Sequence, residues 1–244
     1  MATATLRVNP RLPLTGHSVS TRQDPVSEQQ EARLSLTDRA YSRLKEEILT
    51  ARRRPESLLL EHELAEEYGV SKTPVREALR LLVHDGWVLV IPRKGYLVRP
   101  FRFDDVREIF AMRQMIEPAL VAEAAKRSTP DQLDVLDRHI DAQVAAIGNA
   151  EAAMGAAAAF HMGIAKLAGN RRAEKTLQTL VDEARRMHYL VPSLDRRVTS
   201  NQEFRDHRDL VAAMRRMDLT LAQEIMERHS QESIRQTLEG LTQL

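Results

Sequence analysis

Three histidines in the second half of the chain are spaced so that they could bind a divalent metal ion. His207 and His229 each lie eleven residues from Asp218, which the apolar pattern places at the turn between the last two predicted helices. At 1.5 Å per residue, each is then about 16 Å from that turn, so the two face each other across a helical hairpin. His161, on a third helix, completes a set of neutral nitrogen donors suited to zinc or nickel. The alternative is three histidines at unrelated, exposed or partly satisfied positions.

A second group of residues has the chemistry of DNA binding. Residues 70–99 carry six Lys and Arg side chains against two carboxylates, although the whole chain has a formal net charge of only +1. Polar side chains cluster at the start of a predicted helix, where N–H groups and the helix dipole attract phosphate. A predicted turn adds two cations and a close backbone approach. The helix cluster is Ser71, Lys72, Thr73 and Arg76, and the turn is Arg93, Lys94 and Gly95. The alternative is a solvated basic turn beside an ordinary helix.

Short elements with clear start and stop signals position these basic residues. A helix is predicted from Leu36, and a second, short helix ends at Gly69, where a left-handed backbone suits a tight turn. The following helix has Pro74 in its first turn, where the missing N–H costs nothing. Two β-rich stretches, 87–91 and 96–99, flank the basic turn and predict a hairpin. Two helices joined by a glycine turn and followed by a basic hairpin constitute a winged helix-turn-helix.

The rest of the chain has the apolar pattern of helices, and Gly-Asn pairs and prolines mark the breaks between them. Alanine-rich faces permit close packing of these helices. The fold class is therefore mainly α: an N-terminal winged helix-turn-helix with a small β-hairpin wing, followed by an antiparallel six-helix bundle. The six helices are predicted at about 104–126, 130–147, 150–168, 171–190, 202–216 and 218–240.

This pattern divides the chain into three parts. Residues 1–34 are predicted to be a flexible tail, because prolines and polar residues replace apolar periodicity there. Arg7, Arg11 and Arg22 leave a weak DNA-contacting arm as the alternative. Residues 35–100 form the predicted DNA-binding domain, and residues 101–244 form the predicted helical domain.

Composition excludes several classes of function. The 244 residues include no cysteine, which rules out disulfides, thiolate nucleophiles and cysteine-bound metal clusters. The apolar stretches are too short to span a bilayer, and the N-terminus has no compact apolar core typical of a secretory signal. We therefore expect a cytoplasmic protein without membrane contact.

The predicted DNA-binding segment resembles a known family. The run from Glu63 to Leu79, ELAEEYGVSKTPVREAL, is similar to the GntR family of bacterial transcription regulators, and the similarity continues through Gly86-Trp87-Val88 and Pro92-Arg93-Lys94-Gly95. Two positions depart from the family pattern. Lys72 stands where Arg is usual, and Lys cannot make the two-pronged contact to guanine. His62 replaces a residue that is sometimes a basic DNA contact.

Residues 101–244 resemble the helical effector domain of the FadR-type subfamily, and six helices suggest its shorter, VanR-like variant. The resemblance implies a divalent metal held by one Asp and three His, beside a small carboxylate effector. The Asp position is Ala157 here. Water or the effector could complete the site, or the metal could bind weakly or be lost. The predicted effector-binding residues are Arg113, Glu117 and His188. The first two, four residues apart, could instead form only an intrahelical pair.

We therefore expect a transcription repressor that binds a palindromic operator as a homodimer. A two-fold symmetric operator needs two DNA-binding domains, and each chain supplies one. A small organic acid would switch it through the helical domain. Two alternatives remain. Three histidines with an open position could make a metal-dependent hydrolase. The chain could also bind DNA without any effector.

Overall fold

The computed structural model of the chain describes residues 35–190 and 200–241. Its first part contains three helices and three short strands that share one apolar core, built from residues such as Leu44, Leu79 and Trp87. The elements are α1 (Leu36–Leu49), β1 (Leu58–Leu59), α2 (Glu61–Tyr68), α3 (Lys72–His84), β2 (Val88–Ile91) and β3 (Gly95–Val98). The predicted winged helix-turn-helix is confirmed. The predicted tail, residues 1–34, lies outside the described residues.

The wing is a three-stranded antiparallel sheet with the order β1-β3-β2. The predicted two-stranded hairpin was therefore incomplete, because β1 has only two residues and is too short to leave an alternating pattern. β1 pairs with β3 through Leu58 with Leu97 and Leu59 with Tyr96. This extra strand ties the wing to the chain before the helix-turn-helix.

In the described residues from 103 to 241, the chain forms the predicted antiparallel bundle of six helices. Apolar side chains from these helices, among them Leu136, Phe160 and Met214, form one large core. The helices are α4 (Phe103–Arg127), α5 (Pro130–Ala145), α6 (Ala150–Ala168), α7 (Arg171–Leu190), α8 (Asn201–Arg215) and α9 (Leu219–Leu241). None of the described helices is both long and apolar enough to cross a membrane.

Helix α7 connects the bundle to the DNA-binding domain. Lys45 of α1 forms a 2.7 Å ion pair with Asp182 of α7. One turn further along α7, Arg186 donates a 2.7 Å hydrogen bond to the carbonyl of Arg99, at the end of the wing. Both groups on α7 are buried, so they fix the position of α7 against the DNA-binding domain.

Candidate nucleic-acid interface and metal centre

The N-terminal end of α3 presents the predicted base-reading residues to solvent. Ser71 is the N-cap residue of α3, and Ser71, Lys72 and Thr73 are exposed. Pro74 and Val75 follow them and are buried beneath. The turn before α3 takes its shape from Gly69, whose φ of 65° lies in the left-handed region. The small polar residues therefore stand at a surface with the free N–H groups of a helix, as a phosphate contact requires.

Arg76, the fourth predicted residue of this helix, is not free in the structure. Its Nε lies 3.1 and 3.0 Å from the two carboxylate oxygens of Glu61, and its Nη2 donates to Oε2 at 2.8 Å. Glu61 belongs to α2, and Arg76 remains about half exposed. The fork of Arg76 is therefore oriented by an acid on the preceding helix, and it must share or leave this acid to contact a base.

The tip of the wing places two cations in solvent. Lys94 N donates to Ile91 O at 3.0 Å, and Arg93 between them has a φ of 65°. Arg93 and Lys94 are exposed. Position 95 requires a glycine for a structural reason, because an added Cβ would lie 2.8 Å from the carbonyl oxygen of Leu59. His62 is exposed on α2.

The three predicted metal ligands lie together in the bundle, as their spacing predicted. The ring centroids of His207 and His229 are 4.9 Å apart, and those of His161 lie 5.3 and 5.4 Å from the other two. One potential ligand atom from each histidine lies within 4.8 Å of the others. All three side chains are buried. The three histidines are therefore not exposed, and the alternative that remains is three buried histidines at partly satisfied positions.

Each of the three histidines has a polar side chain near its Nδ1 atom. His161 Nδ1 lies 2.6 Å from Glu117 Oε2, and His207 Nδ1 donates to Gln143 Oε1 at 3.1 Å. His229 Nδ1 lies 3.8 Å from Asp206 Oδ2, while its buried Nε2 has no hydrogen-bond partner among the described residues. Partners of this kind hold the ring and fix its tautomer, which is how proteins prepare histidine for a metal. At His161, Arg113 Nη2 also lies 3.4 Å from Nε2. The donor set therefore fits a divalent ion.

Charge around His161 favours the neutral imidazole. Burial lowers the pKa of His161, and the charge of Glu117 opposes this only in part. Burial also disfavours the charged form of Glu117, but the Arg113 guanidinium and the His161 ring together outweigh it and hold the pKa of that carboxyl well below its usual value. Arg113 Nε donates to Glu117 Oε1, so the predicted intrahelical pair is present. Burial thus favours the uncharged imidazole of His161, which is the form that can bind a metal ion.

A cavity of about 50 Å³ adjoins the histidines. Two of the predicted effector-binding residues, Arg113 and His188, line it together with His161. Glu117 does not, because it lies behind His161 as the partner of its outer nitrogen. Ala157, where the resemblance would have an Asp, also lines the cavity.

The sequence interpretation missed three polar residues beside the histidines and one cation of the cavity. Glu203 lines the cavity, and its two oxygens lie 3.8 Å from His207 Nε2 and 3.9 Å from His229 Nδ1. Its place four residues before His207 was a usable signal, since that spacing puts both on one helix face. Asp206, Gln143 and Arg185 gave no comparable signal.

Each of the two parts of the chain matches a known protein family. Residues 36–98 match the family model described as "Bacterial regulatory proteins, gntR family", and residues 108–232 match that of the FCD domain. A regulator of Streptomyces ambofaciens described as an uncharacterized HTH-type transcriptional regulator in an unstable DNA locus is 30% identical over 194 residues, which are 78% of this chain and 79% of the relative. The Escherichia coli HTH-type transcriptional repressor RspR is 27% identical over 82% of this chain and 90% of its own.

Solved structures share the fold. Escherichia coli McbR/YncC superposes with a TM-score of 0.74 at 22% sequence identity, over 84% of this chain and 98% of its own. A structure described as a putative transcriptional regulator GntR from Rhodococcus sp. RHA1 reaches a TM-score of 0.71 at 21% identity, over 84% of this chain and 99% of its own.

Proposed function

Because the chain belongs to the GntR family of bacterial transcription regulators and carries an FCD effector domain, we propose that it is a repressor whose operator binding is switched by a small carboxylate. The relatives are named transcriptional regulators, and the family model of residues 36–98 describes regulatory proteins and not enzymes, which counts against the hydrolase alternative. The relatives RspR and GlaR are both named repressors, and this supports the sign of regulation.

The operator is proposed to be palindromic and bound by a homodimer. Each chain offers one exposed helix end, at Ser71, Lys72 and Thr73, and one exposed wing tip, at Arg93 and Lys94. A single recognition helix covers only one half-site in a major groove. Two copies related by a two-fold axis would present two such helices to a two-fold symmetric sequence.

The observation that carries the proposed switch is the position of α7. One face of α7 lines the cavity with Val181, Ala184 and His188. Asp182 and Arg186 of the same helix contact the DNA-binding domain. A ligand that shifts α7 in the cavity would thus also shift the contacts with α1 and the end of the wing.

Arg185 supplies both the charge and a direct link for this switch. It lines the cavity, and its Nη2 lies 3.7 Å from Glu46 Oε1 on α1. Arg113, on α4, is a second cation that lines this cavity. A carboxylate bound between these guanidinium groups would compete with Glu46 for Arg185. The contact between α1 and α7 would weaken as the anion binds.

A divalent metal would be held by His161, His207 and His229, and it would add positive charge beside the same cavity. Metal and anionic effector are therefore expected to bind with positive coupling, each raising the affinity of the other by the same factor. Calorimetric titration of a bound acid into metal-free and metal-loaded protein tests this. Equal affinity in both forms would separate the metal from the effector site.

The central experiment selects DNA duplexes from a random pool with the purified full chain and then measures their affinity by fluorescence anisotropy. We expect a two-fold symmetric sequence bound by two chains, and weaker binding once a small organic acid found by a thermal-shift screen is added. Selection of an asymmetric site bound by one chain would contradict the dimeric model. Operator binding that no acid in the screen alters would favour the alternative of a DNA-binding protein without an effector.

A further inference from the structure

Glu203 occupies the position from which a carboxylate could reach the centre of the histidine cluster. Its oxygens lie 3.8 Å from His207 Nε2 and 3.9 Å from His229 Nδ1. The residue is 6% exposed and lines the cavity that His161 and Ala157 also line. Glu203 therefore lies beside His207 Nε2 and His229 Nδ1 and lines the same cavity as His161.

The helical offset of Glu203 repeats the one that Ala157 leaves without a donor. Ala157 stands four residues before His161 on α6, and Glu203 stands four residues before His207 on α8. Residues four apart lie on the same helix face, one turn apart, so each of these positions points beside its histidine. The carboxylate on α8 thus has the same offset from its histidine as the Ala157 position has on α6.

Helix capping is the competing explanation for the position of Glu203. Ser200 and Glu203 have the spacing of a capping box, and Ser200 Oγ accepts a hydrogen bond from Glu203 N at 3.2 Å. That bond uses the backbone of Glu203. Its carboxylate is buried beside two imidazoles, so capping alone does not account for its position.

The neighbouring acid, Asp206, is engaged differently. Asp206 Oδ1 accepts from Gln202 Nε2 at 2.8 Å and from Arg228 Nη2 at 3.4 Å. Its Oδ2 lies 3.8 Å from His229 Nδ1, which Glu203 Oε2 approaches to 3.9 Å. Of the two acids, only Glu203 also lies 3.8 Å from His207 Nε2. Asp206 also does not line the cavity. These contacts make Asp206 an outer partner of His229.

We propose that Glu203 is the anionic ligand of the metal centre, so that three imidazoles from α6, α8 and α9 and one carboxylate from α8 bind the ion. This inference rests on the proposed metal binding by the three histidines. A set of three nitrogens and one carboxylate oxygen suits Zn²⁺ and Co²⁺. The carboxylate also offsets one of the two charges that three neutral ligands would leave uncompensated.

The test compares Glu203→Gln with Asp206→Asn in the full chain by calorimetric titration with Zn²⁺. Glutamine keeps the size of the side chain and can serve in a capping box, but it removes the charge. We expect Glu203→Gln to lower Zn²⁺ affinity by more than about 100-fold. Asp206→Asn should lower Zn²⁺ affinity by only about 10- to 100-fold, which is the loss expected for a residue that contacts a metal ligand rather than the metal.

Visible spectra of the Co²⁺-loaded protein and a rescue variant separate ligation from a structural effect. The Co²⁺ bands should shift in Glu203→Gln and stay unchanged in Asp206→Asn. Adding Ala157→Asp to Glu203→Gln should restore most of the Zn²⁺ affinity, because the new carboxylate has the same offset from a histidine. Thermal melting of the metal-free variants checks that both fold.

The outcomes distinguish this inference from the proposed function beneath it. If the unsubstituted chain binds neither Zn²⁺ nor Co²⁺, the metal centre itself is wrong, and the ligand role of Glu203 is overturned with it. If it binds and Glu203→Gln binds equally well with the same Co²⁺ spectrum, three histidines suffice and only the role of Glu203 is overturned. A larger loss in Asp206→Asn would also overturn the assignment of Glu203.

Discussion

The DNA-facing surface and the histidine cluster hold their polar groups in opposite ways. At the surface, Lys72, Arg93 and Lys94 are exposed, and a DNA contact by one of them does not depend on another. In the cluster, His161 is buried and is held by Glu117, which is itself held by Arg113. A charge at the surface is solvated by water, whereas a charge in the bundle needs a partner within hydrogen-bond distance.

This difference predicts how the two regions respond to substitution. Loss of one surface cation removes one contact and leaves its neighbours intact. Loss of one member of the cluster leaves another buried polar group without its partner, and the cost includes that group's desolvation. Effects in the bundle should be large and coupled, while effects at the surface should be smaller and additive.

The largest expected effect is the loss of metal binding in His207→Ala and in His229→Ala. Each substitution removes one of three imidazoles from a centre that has few other donors, so no binding should remain in a Zn²⁺ titration. The effector response should be lost with it, while operator affinity without effector is retained. His84→Ala is the control, because the His84 side chain is 79% exposed. Undiminished binding in His207→Ala would contradict the three-histidine centre.

The next largest effect is expected for Arg113→Ala. Glu117 is 2% exposed and would be left as a buried carboxylate without its guanidinium, which costs about 3–5 kcal/mol of unfolding free energy. Arg235→Ala is the matched control, since Arg235 forms similar intrahelical pairs with Glu232 and Glu239 on an exposed face. Removal of such a surface pair costs about 0–1 kcal/mol. If urea denaturation shows that Arg113→Ala and Arg235→Ala lose the same unfolding free energy, the contrast between the two regions is wrong.

A smaller effect is expected for Arg76→Ala and Lys72→Ala at the DNA-facing surface. Each should weaken operator binding by about 1–3 kcal/mol in an anisotropy titration and leave folding unchanged. The exposed Arg138 of α5 provides a control of equal charge. If Arg76 serves only to bind Glu61, Arg76→Ala and Glu61→Gln will lower stability alike without loss of operator affinity.

The smallest effect is expected for Lys94→Ala at the wing tip. A phosphate contact carries no sequence information, so binding to all duplexes should weaken alike. The slope of log affinity against log salt should fall by about one. A changed sequence preference at constant slope would instead indicate a base contact by Lys94.

Much of the fold could be predicted from the sequence because its signals are local. The predicted helices agree with the observed ones to within a few residues, since apolar spacing, Gly69 and Pro130 act over one or two turns. The pairing of His207 with His229 followed from counting along a hairpin whose turn lies at Asp218. Asp218 indeed accepts a hydrogen bond from Leu221 N at the start of α9.

The sequence alone therefore determined the two domain types, the order of their helices and which three histidines lie together. Only the tertiary structure decided which groups surround them. Gln143 meets His207 across 64 positions of the chain, and Arg186 meets the carbonyl of Arg99 across 87. Likewise, β1 exists only because β3 pairs with it. Helix periodicity acts within a few residues, whereas these contacts depend on how whole helices pack against each other, which no local pattern specifies.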